Sequence, residues 1–234
     1  MRFGPLALTA AALLVGTVSA SHANLITNGD FENPALNSTS SFGSTAYQPP
    51  GITNYVYPGL TGAALLASWT YNGGAGLIDT SQGFNAWYQN TSPSGFSGVQ
   101  YAFVQSTGTL LQTFTSALGG LTTISWLEGS RPDLGSVNGN ESYQVLLNGT
   151  QIYTNTTSSG QNFLSISAIG TLLSGTNTLE FVGLSQSDST VFLDNVAVAA
   201  VPEASTWVMM ILGFAGLGFV THRRRQGGSA VAIA

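Results

Sequence analysis

Between residues 64 and 198 the apolar residues come in eight runs of six to nine residues, each cut off by turn residues. The runs are Ala64–Tyr71, Val99–Gln105, Thr109–Thr115, Leu121–Leu127, Ser142–Leu147, Phe163–Ile169, Thr178–Leu184 and Thr190–Val198. Between them lie Asn72-Gly73-Gly74, Leu118-Gly119-Gly120, Asn148-Gly149, Ser158-Ser159-Gly160 and Ser174-Gly175. Runs this short, bounded by glycine, are strands rather than helices. Regular spacing of this kind predicts an all-β fold, an antiparallel β-sandwich over residues 24–200. Asn148-Gly149 predicts a hairpin, because both residues tolerate the positive φ of a type I′ turn. Trp126 stands two positions from Ile124, so it belongs to the core face. In the run to Leu184, Leu179, Phe181 and Gly183 alternate with Glu180, Val182 and Leu184, a mixed pattern that predicts a strand covered on both sides.

Charge excludes several functions. Only 6% of the residues are charged, against about 25% in an average soluble domain. Residues 24–200 hold one base, Arg131, and nine acids, a formal charge of −8. Such a surface cannot neutralise phosphates, so no nucleic-acid partner is expected. Disorder is not expected either, since low charge comes with abundant Val, Leu, Ile, Phe, Tyr and Trp. Cysteine is absent, which removes disulfides, thiolate metal sites and a cysteine nucleophile. The two histidines, His22 and His222, sit in the terminal segments. The central region therefore has no Ser-His-Asp triad and no histidine-ligated zinc. Pairs of carboxylates remain as the material for a glycosidase, and their spacing singles out no acid and base. Arg131, flanked by Glu128 and Asp133, is expected in a structural ion pair.

The two ends read as export signals. Arg2, the apolar Leu6–Val18 and the small residues of Ser21-His22-Ala23 make residues 1–23 a signal peptide, cleaved between Ala23 and Asn24 or, alternatively, after Ala20. At the other end Val201-Pro202-Glu203 precedes 14 apolar residues, Trp207 to Val220, and then Arg223-Arg224-Arg225. Trp207 suits one membrane interface, and three arginines hold the other end in the cytoplasm. One C-terminal transmembrane helix is expected, although 14 residues is fewer than the ~18–20 of a full span.

This C-terminal pattern resembles the PEP-CTERM sorting tail, also called the ice-binding protein C-terminal domain. The likeness rests on Val-Pro-Glu, the Trp four residues after the Glu, Met-Met, Gly-Phe-Ala-Gly-Leu-Gly and the closing arginines. Ala204 stands where the second proline of the name-giving motif would be. The resemblance implies residues 201–225 as a sorting tail, residues 226–234 as a short cytoplasmic tail, and an exosortase as processing partner. Pro202 and Glu203 are then the processing region, and Arg223, Arg224 and Arg225 the cytoplasmic stop.

Two further segments carry a second resemblance. Asn28-Gly29-Asp30-Phe31-Glu32 opens the central domain and Asp194-Asn195-Val196 closes it. The pair resembles galactose-binding-like jelly rolls, the fold of several carbohydrate-binding modules. That likeness implies a structural Ca²⁺ joining the domain's two ends, with Glu32 and Asp194 as ligands and Asp30 as a weaker candidate. The alternative is that Glu32 caps backbone N–H groups and Asp194 ends a strand in a hydrogen bond. Trp87 and Tyr88 are adjacent, so in a strand one of them faces outward and can stack on a sugar. The function expected is a non-enzymatic, exported surface or matrix protein that binds extracellular polysaccharide. A structural matrix or adhesion protein without a sugar ligand is the alternative, and a glycosidase a more distant one. The ice-binding label implies no function here, because no regular Thr-x-Thr array is apparent in the sequence.

Overall fold

The computed structural model describes residues 23–33, 35–36, 55–56, 68–81, 93–133, 139–200 and 204–226. These form eleven strands and one helix. The strands are β1 (Tyr55–Val56), β2 (Thr70–Asn72), β3 (Ala75–Asp79), β4 (Gln100–Gln105), β5 (Thr109–Ser116), β6 (Gly120–Ser130), β7 (Ser142–Leu147), β8 (Thr150–Thr156), β9 (Leu164–Leu172), β10 (Gly175–Gly183) and β11 (Thr190–Val198); the helix is α1 (Ala204–Gln226). They assemble into a six-stranded sheet, β1-β3-β4-β11-β6-β9, and a five-stranded sheet, β2-β5-β10-β7-β8. Every pairing is antiparallel. The expected antiparallel sandwich is the observed one. At the β7–β8 turn, Asn148 and Gly149 take φ of 54° and 76°, as a type I′ hairpin requires.

The core lies between the sheets. Leu77, Val104, Ile124, Trp126 and Leu193 from one sheet meet Leu110, Phe114, Tyr143, Val145, Leu179 and Phe181 from the other. Trp126 and Phe181 make an edge-to-face contact with centroids 5.7 Å apart, a geometry the aromatic quadrupoles favour. A second cluster, Ile78, Tyr101, Phe103, Phe163 and Phe192, packs with Phe96. These residues alternate with core-facing neighbours, so the cluster covers the outer face of the six-stranded sheet. The two-sided covering expected for the Thr178–Leu184 run therefore belongs to β3, β4 and β11. In β10, Thr178, Glu180 and Val182 are only half-buried on the outer face.

Arg131 forms the expected ion pair, with Asp188. Its Nη2 meets Asp188 Oδ1 at 2.7 Å and also donates to the Asp188 carbonyl at 2.6 Å. The flanking Glu128 turns inward instead. Its carboxylate accepts hydrogen bonds from the Tyr143 hydroxyl, from Asn155 Nδ2 and from Gln161 Nε2.

At the C-terminus a 23-residue helix forms, and the large apolar side chains Met210, Ile211, Leu212, Phe214, Leu217 and Phe219 are exposed along it. Yet no helix among the described residues is long and apolar enough to cross a membrane. Thr221, His222 and three arginines follow the apolar run at its C-terminal end. The apolar run rises only about 21 Å, less than the roughly 30 Å of a hydrocarbon core. A helix thus forms where the transmembrane helix is expected.

Glu141 ties one end of the sandwich together. Its Oε2 accepts from Ser106 N (3.1 Å) and Ser189 Oγ (2.8 Å), and its Oε1 from Ser185 N (3.2 Å). Burial pushes its carboxyl up from the ordinary value, and the serine donors offset only part of that. A carboxyl raised in the folded state binds its proton more tightly there than in the unfolded chain. Its contribution is therefore most favourable below the unfolded value near 4.5 and is lost as pH rises through the folded value. Glu141→Gln should remove this term. Urea melts at several pH values should show the variant gaining on wild type above pH 4.5, by at most about 1.4 kcal/mol per pH unit. Parallel profiles would mean that Glu141 titrates normally.

Candidate functional site

The site begins with the opening segment. Asn24 makes an isolated antiparallel bridge to Ala199. Its Oδ1 accepts from Ile26 N and Val198 N, both at 3.0 Å. Leu25 N donates to the Val198 carbonyl, and Val196 N to the Gly29 carbonyl. The segment thus runs beside the second half of β11, while β4 pairs only with its first half, Thr190–Leu193. On the other side Gln112 holds Thr27 by both backbone groups, each at 2.9 Å.

The Asn28–Glu32 motif has a mechanical reading. Asn28 folds back on Asn33, its Nδ2 donating to the Asn33 carbonyl (2.6 Å) and its Oδ1 accepting from Asn33 N (3.0 Å). Gly29 sits where a Cβ would lie 2.0 Å from the Val196 carbonyl oxygen, so no other residue fits. Phe31 is buried, with its ring centroid 5.2 Å from that of Trp69. Trp69 Nε1 in turn donates to the Asn28 carbonyl at 3.0 Å. With Phe31 plugged inward, Glu32 emerges toward the segment before β4.

Glu32 and Asp194 converge on that segment. Glu32 Oε1 accepts from Val99 N and Gln100 N, both at 2.8 Å. Asp194 Oδ2 accepts from Ser97 N at 2.7 Å, and its Oδ1 from Asn195 N at 2.6 Å. Gly98, between the two sets of donors, has φ +70°, and a Cβ there would lie 2.2 Å from Glu32 Oε1. A glycine is needed for both reasons. Asp194 is fully buried. Burial pushes its carboxyl up to about 7; the hydrogen bonds from Ser97 and Asn195 oppose the shift, and the charges of Glu32 and Asp30 add to it. The two candidate ligands, 162 positions apart in sequence, thus share one loop and repel one another.

This arrangement suits a hard cation in part. Calcium takes six to eight oxygens, mostly carboxylate and carbonyl. Glu32 and Asp194 supply two carboxylates, and neither hydrogen bond to Glu32 falls on its Oε2. Among the described residues no group of three or more His, Cys, Asp or Glu side chains could hold a metal ion. The remaining ligands would have to be backbone carbonyls or water. Glu32 caps backbone N–H groups of the loop, the alternative role expected for it; Asp194 accepts from Ser97 N but lies inside β11 rather than ending the strand.

Other anticipated residues fall elsewhere. Trp87, Tyr88, Pro202 and Glu203 lie outside the described residues. Arg223, Arg224 and Arg225 occupy the last turns of α1. Ala23 and Asn24 begin the bridged segment, with the Ala23 carbonyl accepting from Ala200 N. Gln100 was not anticipated. Its Nε2 donates to the Phe31 carbonyl (2.8 Å), and its Oε1 accepts from Leu36 N, so it clamps the chain on both sides of Glu32. Nothing in the sequence marks this glutamine apart from its place at a strand start.

No family model matches the chain, and no curated protein matches it. Similar solved structures include a family 35 carbohydrate-binding module from Clostridium thermocellum, at 14% identity and TM-score 0.40, covering 57% of this chain and 92% of that one. Another is a CBM35 from Paenibacillus barcinonensis, at 17% identity and TM-score 0.37, with 58% and 94% covered. A third is the exo-beta-1,3-galactanase from Phanerochaete chrysosporium, at 21% identity and TM-score 0.38; the match covers 56% of this chain and 27% of that enzyme.

The capping role of Glu32 can be isolated. In chelator, Glu32→Ala leaves Val99 N and Gln100 N without their acceptor and should cost about 1–3 kcal/mol. Glu32→Gln keeps an acceptor oxygen and should cost much less. Denaturant titration of both variants checks this; equal losses would mean that the charge, not the hydrogen bonds, is what the loop requires.

Proposed function

We propose that this chain is an exported bacterial surface or matrix protein whose β-sandwich binds extracellular polysaccharide without catalysis. The observation that carries this reading is the closure of the sandwich. The opening segment runs along β11 and brings Glu32 and Asp194 to the Ser97–Gln100 loop. The resemblance to galactose-binding-like jelly rolls implies a Ca²⁺ joining these two ends, and the approach of Glu32 and Asp194 to one loop supports that reading. The buried acids support a non-catalytic reading. Glu128 accepts from three side chains, Glu141 from three serines, and Asp194 from two backbone N–H groups. Carboxylates committed in this way are poorly placed to exchange protons with a substrate.

Sorting and anchoring belong to the same proposal. The signal peptide directs export, and the tail is held in the membrane until an exosortase acts at Pro202-Glu203. Six exposed large apolar side chains on α1 support a lipid environment. The short apolar run is accommodated by local thinning of the bilayer. After processing, the domain resides at the cell surface or in the matrix.

Polysaccharide binding is tested by affinity electrophoresis in gels containing exopolysaccharide from a producing strain. Wild type should be retarded, and Trp87→Ala or Tyr88→Ala should weaken binding about tenfold or more. An unretarded wild type would leave the structural matrix reading. Calcium is tested by thermal melts. Bound at a hundredfold excess over Kd, it should stabilise the fold by about 2.7 kcal/mol, and Asp194→Ala should abolish the response. A wild-type melting temperature indifferent to Ca²⁺ and chelator excludes the site and leaves Glu32 and Asp194 as caps.

A further inference from the structure

The four sheet edges formed by the described residues are not equally guarded. β1 and β2 are two and three residues long, too short to template another strand. β8 has seven residues, but its register against β7 shifts between Val145 and Leu146, and such a bulge disrupts an edge. β9 has none of these protections. It pairs with β6 in an unbroken register of nine residues, from Gly120↔Leu172 to Glu128↔Leu164. Its sequence, Leu164-Ser165-Ile166-Ser167-Ala168-Ile169-Gly170-Thr171-Leu172, contains no charge and no proline. No described segment pairs with its other side.

Exposed apolar side chains gather at the same edge. Leu164, Ile169, Leu173 and the neighbouring Leu121 on β6 are 53%, 62%, 55% and 73% exposed. Beside them a cavity of about 600 Å³ opens between β9 and the β7–β8 hairpin, with Leu147, Ile152, Ile169 and Leu173 in its lining. A lone exposed leucine needs no explanation, but a cluster along an unpaired strand does.

The sequence of β9 indicates what fits there. Placed antiparallel to itself about Ala168, it sets Leu164 opposite Leu172, Ser165 opposite Thr171, Ile166 opposite the small Gly170, and Ser167 opposite Ile169. Opposed residues in an antiparallel pair share a face. On the inner face leucine thus meets leucine and the branched Ile166 meets the small Gly170; on the outer face Ser165 meets Thr171, and Ser167 leaves room for the exposed Ile169. A two-fold interface requires such self-complementarity, whereas a strand from an unrelated protein does not. The contact also brings no charges together, which matters for a domain of formal charge −8.

We infer that β9 is a homotypic assembly edge, through which two copies of this chain join their six-stranded sheets into one continuous antiparallel sheet. The test uses the full chain in sedimentation velocity over a range of concentrations. Ser165 and Thr171 are both exposed on the outer face, so they can be exchanged without touching the core. Wild type should sediment as a dimer. The double variant Ser165→Lys/Thr171→Lys places two lysine pairs directly opposite across the interface and should weaken dimerisation about tenfold. Ser165→Lys/Thr171→Glu places opposite charges there and should restore it, with the melting temperature of both variants unchanged. A wild type that stays monomeric overturns the inference. So does a dimer indifferent to the paired lysines, which would place association in another part of the chain such as the tail. A Lys/Glu variant as weak as the Lys/Lys variant overturns the register.

Discussion

With strict alternation, β11 would send Val196 and Val198 to the same face as Phe192 and Asp194. Instead its register against β6 slips: Asp194 pairs with Leu127, and Ala197 with Ser125. The extra residue is accommodated at Asn195, whose φ is 50°, a value that asparagine tolerates better than most residues. One inserted residue exchanges the two faces. Before the bulge, Val191 and Leu193 point to the core and Phe192 to the outer cluster; after it, Val196 and Val198 point to the core. The bulge also ends the pairing with β4 and gives the second half of β11 to the opening segment. Asp194, the last residue before the slip, is left facing the loop that Glu32 approaches from the other side. The closure of the sandwich and the candidate site both depend on this one irregularity.

A domain with one arginine and nine acids cannot neutralise its carboxylates by ion pairing. It solvates them with its own neutral donors. Serine, asparagine, glutamine, tyrosine and backbone N–H groups converge on Glu128, Glu141, Glu32 and Asp194. Several hydrogen bonds to one carboxylate can offset much of its desolvation. At Asp194 and Glu141 the offset falls short, and both carboxyls are raised. The two differ in their surroundings. Glu141 is held by serines from separate turns, whereas Asp194 also faces like charges on Glu32 and Asp30. Only the second situation gives a cation something to relieve.

Much of this was legible in the sequence because the strand runs and their glycine breaks are local signals. The Asn148-Gly149 turn and the core position of Trp126 needed nothing beyond the chain's own periodicity. The bulge was not legible, since Thr190–Val198 reads as one apolar run with Asp194 and Asn195 inside it, and nothing local says which face each half takes. The Asp188 partner of Arg131 is not legible for a similar reason. Glu128 and Asp133 are near in sequence, but β6 sends Glu128 into the core, and Asp188 arrives from 57 positions away. Two-sided burial is not readable from alternation alone: β10 carries Val182 on an outer face that is only half-covered, while the cover over β3, β4 and β11 comes from Phe96 and Phe163, outside those strands. Glu32 and Asp194 were paired by resemblance, and their convergence on one loop is a tertiary fact that neither residue announces alone.

The scarcity of charge has a cost at the edges. Lysine is the usual guard of an exposed strand, and this chain has none. Where length or a bulge does the guarding instead, as at β1, β2 and β8, lysine is not missed. At β9 no described residue replaces it, and four exposed apolar side chains, Leu121, Leu164, Ile169 and Leu173, lie on or beside that strand. A domain that circulated alone at high concentration would be at risk from such an edge. For a protein held at a surface among copies of itself, as proposed above, such an edge would align neighbours without drawing on charge, and the contact would be little affected by ionic strength. The composition that excludes nucleic acid and leaves the buried acids to neutral donors thus also leaves the longest edge strand open to pairing.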